Sequence, residues 1–328
     1  MKLKLIILLF SISIYYGYSQ EIVKEYHENG QLRVIGKMEN GKAEGVWKGY
    51  HDNGQLAEIG KMEDGKEEGE WKFYHENGQL SQIGKMENGK YEGVWKVYHE
   101  NGQLKGEEKH VNGELEEQKI YNENGQLSQE RKYVNGELEE LKIYYDNGQL
   151  SQIGKIENGK PEGEWKAYHD NGQLSQIGKY VNGKEEGELK IYHDNGRLSQ
   201  EGKYVNGEVE EQKSYYYNGQ LKQEGKWENG KAEGVWKIYH DNGQLKKDGK
   251  YVNGEEEGEW KIYHNNGKLY QTRLWSQGKF MDIVNCFDNK GNALKKGSLI
   301  NGNGTVHYYN ELGELTETKN YIYGEEQK

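Results

Sequence analysis

The chain has one cysteine, Cys286, and one proline, Pro161, in 328 residues. A single thiol excludes an intramolecular disulfide framework. Apolar residues make up only 33%, with 4 Phe against 27 Tyr and 8 Trp. That is too little aliphatic mass for a large globular core, and it suits a thin structure covered by aromatics with polar tips. The chain is 30% charged but lacks the Pro, Ser and Gln bias of a disordered chain, and its regular aromatics argue further against disorder. Also missing are a nucleophile beside a base, a phosphate loop and an HExxH helix, so no enzymatic activity is expected. No cofactor is expected either.

Long apolar runs are missing as well, apart from Leu5 to Ile14, which is too short to span a bilayer. With Lys2 and Lys4 before it and Gly17 and Ser19 after it, residues 1–19 read as a signal peptide. The protein is therefore expected to be secreted or periplasmic, with no membrane span after cleavage. Removing the leader leaves 42 basic against 55 acidic residues, a net charge of −13. Such a surface repels nucleic acid and anionic lipid, and nucleic acid is excluded as a partner.

What is present is a repeat. Eleven Asn-Gly pairs, from Asn29-Gly30 to Asn266-Gly267, recur every 23 or 24 residues. A second set, from Asn40-Gly41 to Asn253-Gly254, follows the first by eleven residues. Asn-Gly is the strongest short-range hairpin signal, because both residues tolerate the positive φ of a tight turn. Two turns per period give two strands per period. The expected fold is all-β: an elongated antiparallel β-meander of about 22 strands forming one extended repeat domain. Repeats fill residues 20–273, and 274–328 read as divergent terminal repeats or a C-terminal cap.

Two positions never vary in the eleven units. They are the Tyr before the first turn (Tyr26, Tyr50, Tyr74, Tyr98 and onward) and the Leu after it (Leu32, Leu56, Leu80, Leu104 and onward). Alternation puts Leu80, Gln82, Gly84 and Met86 on one face, which is expected to be the covered one. The Gly84 slot leaves room for a ring from an adjacent strand, and Trp47, Trp71, Trp95, Trp165, Trp236 and Trp260 are the candidates. Trp71 and Tyr74 are three apart, so either the strand bulges or both faces are partly covered. Three units are one residue short and lose Gly and Trp together, around Glu116-Glu117-Gln118, Glu139-Glu140-Leu141 and Glu210-Glu211-Gln212. A local change of curvature is expected near 112–142 and 206–214.

Eight of the ten histidines, His51, His75 and His99 among them, share one slot beside the first turn. Histidines two strands apart are too widely spaced to share a metal ion, so capping of the turn or stacking is expected and metal binding is not. Paired carboxylates such as Glu67-Glu68 and Glu185-Glu186 read as solvated edges.

The pattern Tyr-x-x-Asn-Gly-x-Leu, followed by Gly and then Asn-Gly-Lys-x-Glu-Gly-x-Trp, resembles the MORN repeat over about residues 23–279. The similarity is to the bacterial variant of YwqK-type antitoxin-like proteins. Gly302 to Tyr309 looks like the more usual form of that motif. The resemblance implies a scaffold or a protein- or lipid-contacting module. The leading expectation is a scaffold for an unidentified protein partner, with Trp165, Trp236, Trp260, His51, His75 and His99 as its contact surface. The alternatives are carbohydrate or cell-wall binding through exposed Trp and Tyr, and an antitoxin or immunity role.

Overall fold

The computed structural model describes residues 20–327. The signal peptide read into residues 1–19 lies outside them. Every regular element among the described residues is a β-strand, and the chain divides after Gly136 into two compact units. The first holds ten strands, from Gln20–Tyr26 to Leu127–Val134. Each pairs antiparallel with its neighbour in the chain. The second repeats that order over thirteen strands, from Glu137–Tyr144 to Lys279–Cys286, and adds a three-stranded sheet, Gly304–Tyr309, Leu315–Ile322 and Glu325–Gln327. The all-β antiparallel meander expected from the paired turns is therefore present in each unit.

The two Asn-Gly turns are chemically different. At the second turn, Asn88 (φ 53°) and Gly89 (φ 77°) are both left-handed. They form a two-residue loop between the paired residues Glu87 and Lys90, and its twist matches that of the strands. At the first turn only Gly78 is left-handed (φ 82°). The His75 N–H donates to Gln79 O and the Gly78 N–H to His75 O, each at 2.8 Å. That is a type I turn closed by a left-handed glycine, so Asn77 needs no positive φ.

The invariant Tyr and Leu face each other across this first turn, as Tyr26–Leu32, Tyr50–Leu56, Tyr74–Leu80 and Tyr98–Leu104. The register shifts just inside that pair, so Phe73 meets Gln82 and Ser81 has no opposite number. Simple alternation from Leu80 to Met86 therefore breaks at Ser81. Leu80 belongs to the Tyr74 pair, whereas Gln82, Gly84 and Met86 lie on the Trp71 face. A larger irregularity sits on the other side of the Trp strand. Gly154 meets Trp165 and Lys155 meets Glu162, leaving Gly163 and Glu164 as a two-residue bulge, with Gly163 at φ 68°. So the strand bulges and both faces are partly covered. In the short units the bulge shrinks to one residue: Glu116 before Gln118, and Glu210 before Gln212.

The largest buried apolar cluster among the described residues lies at the end of the second unit. Phe280, Ile283 and Cys286 pack with Leu299, Val306 and Tyr321 of the segment that follows.

Candidate functional site

Each unit presents an aromatic face, a charged face and a turn edge. On the aromatic face the indole lies on the glycine of the preceding strand: Trp47 on Gly36, Trp71 on Gly60, Trp95 on Gly84, Trp165 on Gly154, Trp236 on Gly225 and Trp260 on Gly249. The bulge exposes the next carbonyl, and the indole N–H takes it in four of these six, while those of Trp47 and Trp71 find no partner. Trp95 Nε1 donates to Lys85 O (3.1 Å), Trp165 to Lys155 O (2.9 Å), Trp236 to Lys226 O (3.1 Å) and Trp260 to Lys250 O (3.2 Å). Further rings close over them. Phe73 bridges Trp71 and Trp95, and Tyr251 stands edge-on between Trp236 and Trp260. Trp71, Trp95, Trp236 and Trp260 are consequently buried, Trp95 and Trp260 to 1% and 0% exposure.

This burial corrects the expected contact surface. Trp236 and Trp260 offer no ring to a partner, and Trp165 is half-buried. Stacking a sugar on Trp236 or Trp260 would first require displacing Tyr251, which stands against both rings.

In the first unit the aromatic row is interrupted. Glu108 and Arg131 stand where glycine would, and Gln118 stands between them in the tryptophan slot. Gln118 Nε2 donates to Glu108 (3.0 Å), and an Arg131 N–H donates to Gln118 Oε1 (3.4 Å). Where the glycine gains a side chain, the ring is absent.

On the turn edge the imidazoles join successive repeats. The Nε2 of His27, His51, His75, His169, His240 and His264 lies 2.8–3.1 Å from the backbone carbonyl 23 residues on. Tyr145 and Tyr216 fill the same slot and donate their hydroxyls in the same way, at 2.7 and 2.8 Å. His99 sits at its turn with its N–H on Gln103 O, and His193 leans on Tyr217. Parallel to this ladder, the Asn53, Asn77 and Asn171 amides donate to the next turn. Among the described residues no group of three or more His, Cys, Asp and Glu side chains is placed to hold a metal ion.

The carboxylates read as solvated edges include a contact that spacing did not reveal. Glu44, Glu68, Glu92, Glu162, Glu186, Glu233 and Glu257 each accept the backbone N–H at the second turn of the next repeat, at 2.7–2.9 Å for all but Glu186 (3.0 Å). Each directly precedes a left-handed bulge glycine. In the short units Glu116 and Glu210 turn to Lys109 and Lys203 instead. The constant twenty-residue offset from that Glu to the residue before the next second-turn glycine was the available signal.

The charged face carries a row of alternating lysines and acids. Across the second unit, Lys190, Glu201, Lys213, Glu224, Lys237, Asp248 and Lys261 face one another in succession. Elsewhere in that row isoleucine takes the acid's place, as Ile177 does beside Lys190. The invariant tyrosines satisfy the acids: Tyr215 Oη donates to Glu201 (2.7 Å) and Tyr239 Oη to Glu224 (2.8 Å). Burial, then the Glu224 carboxylate, pushes the Tyr239 phenol up to about 12. Tyr215 is raised in the same way. Three adjoining depressions of about 370, 210 and 310 Å³ lie along this face and share Glu188, Lys190, Glu211 and Lys213 among their walls. They form a shallow trough of alternating charge.

Tandem hairpins, a ring-on-glycine contact in six of the repeats and edges tied repeat to repeat define a β-hairpin repeat protein. Ten matches to the MORN repeat variant, at residues 22–40, 43–64, 67–88, 91–112, 117–135, 161–182, 185–206, 211–229, 232–253 and 256–276, place the particular family. The chain belongs to the MORN repeat variant family. No functionally curated protein matches it. Among solved structures, the GtfA/B complex bound to UDP and GlcNAc is 14% identical over 32% of this chain and 21% of that one, with a TM-score of 0.17. The TcdB2-TccC3 structure is 12% identical over 93% and 18%, with a TM-score of 0.19. The Photorhabdus luminescens Tc holotoxin pore is 13% identical over 94% and 17%, also at 0.19. This chain spans about a fifth of each of those chains, and likenesses at such TM-scores carry no argument for fold or function.

Proposed function

We propose that this protein is a non-enzymatic, exported scaffold that holds a protein partner along its charged face. The observation that carries the reading is the trough in the second unit. It runs over successive repeats, and its lysines recur at every second strand, about 9–10 Å apart, so an extended segment can be gripped at several equivalent points. The aromatic face supports the same choice, because its largest rings are spent on internal packing. Export rests on the basic, apolar and small-residue order of residues 1–19. Among the described residues no helix is long and apolar enough to cross a membrane.

The test is capture from envelope and medium fractions of the producing cell, with the wild type beside a Lys190→Glu, Lys213→Glu, Lys237→Glu variant. A protein retained by the wild type and lost with the variant supports the reading. Failure to retain any protein, or an identical set on both, overturns it. Fractionation of the untagged protein tests export separately: retention in the cytoplasm would remove that part.

A further inference from the structure

On the first-turn edge the side-chain bonds that join the repeats point one way. Side chains of most first turns donate to backbone carbonyls of the next repeat, as His27 does to Tyr50 O (2.8 Å) and Asn29 to Asp52 O (2.7 Å). At the far end of the second unit the last donors are used, His264 on Phe287 O (2.9 Å) and Asn266 on Asn289 O (2.8 Å). The apolar segment around Leu299, Val306 and Tyr321 covers the strand there. The strand Gln20–Tyr26 differs. It pairs with Leu32–Glu39 on one side, and no described strand pairs with its other side. Tyr26 is 58% exposed and Ile22 70% exposed, whereas Tyr50, Tyr74 and Tyr98 are half-buried. Val23 stands in the tryptophan slot opposite Gly36. A tryptophan needs the glycine of a preceding strand to lie on, and this strand carries a residue that needs none.

We infer that a second copy of this chain pairs with the strand Gln20–Tyr26, antiparallel about a two-fold axis through Ile22. An open edge is a template for strand addition. Because the donor end of the array is covered, a head-to-tail contact has no free partner surface, and two open edges meeting isologously is the arrangement that closes. The register follows from the charges. A two-fold that continues both faces lets only residues of the same face meet. Centring on Glu21, Lys24 or Glu25 sets a charge against its own copy, and centring on Val23 sets Glu21 against Glu25. Like charges directly opposite are destabilising. Centring on Ile22 sets Ile22 against itself, Gln20 against Lys24 and Glu21 against Val23, with no like pair. One paired strand buries less than the area of a permanent dimer, so the association is concentration-dependent.

Sedimentation velocity of the full chain over a concentration series tests the inference. The expected result is a shift from monomer to twice the monomer mass, absent for Ile22→Lys at every concentration. Because Ile22 is exposed, that variant keeps the wild-type circular dichroism spectrum. Antiparallel partners lie within disulfide reach, so Ile22→Cys is expected to cross-link two copies on oxidation, while Lys24→Cys, four positions from its copy, stays uncross-linked. A wild type that remains monomeric to its solubility limit overturns the inference. So does a dimer that survives Ile22→Lys, or equal cross-linking of both cysteine variants.

Discussion

The Trp95 indole lies on Gly84 so closely that a Cβ on that glycine would fall inside the ring's van der Waals envelope. Two substitutions separate the space from the ring. Gly84→Ala forces the indole off its seat and is expected to cost about 1–3 kcal/mol, as overpacking does. Trp95→Ala removes a fully buried ring and is expected to cost about 3–5 kcal/mol. Combined, the two should cost little more than Trp95→Ala alone, because the alanine then has nothing to displace. Hydrogen exchange of the amides in Leu80–Glu87, measured in all three variants, gives the coupling. Additive effects would show that ring and glycine do not act as one contact.

The slot of His75 in the turn ladder is filled by Tyr145 and Tyr216 in other repeats, and all three reach the same kind of carbonyl. The slot therefore requires a donor at ring length and does not require an imidazole. His75→Tyr is expected to be near neutral. His75→Phe keeps the ring and loses the donor, leaving Tyr98 O without its bond at about 0.5–1.5 kcal/mol. Urea unfolding of the pair checks this. Equal losses in both variants would assign the slot to packing.

The fold was legible because its signals are local. Each Asn-Gly pair declares a turn within two residues, and the joint loss of Gly and Trp in the short units marks ring and loop as one element. Glu108, Gln118 and Arg131 extend that logic, since they exchange a ring on a glycine for a polar chain at the same three positions. The contacts that spacing did not give are those between repeats. Which acid reaches which amide depends on how far one turn overhangs the next, and that distance is set by the two-residue bulge. That Trp236 and Trp260 lie on glycines was legible from the Gly slot, but the closing of Tyr251 over both was not: a single strand pattern shows which face a ring is on and not how many neighbours close over it.

The Glu68 carboxylate accepts the Asn88 N–H at 2.7 Å, tying one second turn to the next. Glu68→Ala leaves that amide to water, and Glu68→Gln keeps an acceptor of the same length. The alanine variant is expected to lose about 1 kcal/mol, and the glutamine variant less, since charged acceptors make the stronger bond. The direct readout is the exchange rate of the Asn88 amide, raised by about fivefold for a loss of that size. An unchanged rate in Glu68→Ala would mean that the turn holds without the carboxylate.

Tyr239 carries the pH dependence of the charged face. Burial, then the Glu224 carboxylate that accepts its hydroxyl, raises its pKa from 10.0 to about 12; for Tyr263, burial and Asp248 do the same. Below pH 10 the phenol is protonated in both the folded and the unfolded chain, and the Tyr239–Glu224 contact contributes fully. As pH rises from 10 to about 12 the unfolded chain releases the proton while the folded chain still holds it. Stability is therefore lost across that window, in the upward direction. Alkaline titration of phenolate absorbance should show a late-ionising class of tyrosines. Tyr239→Phe should remove one member, and Glu224→Gln should move that member toward the ordinary range without restoring it fully, because the burial remains. A titration in which all tyrosines ionise together near pH 10, or one that Tyr239→Phe leaves unchanged, would show that the hydroxyl is solvated rather than held against the acid.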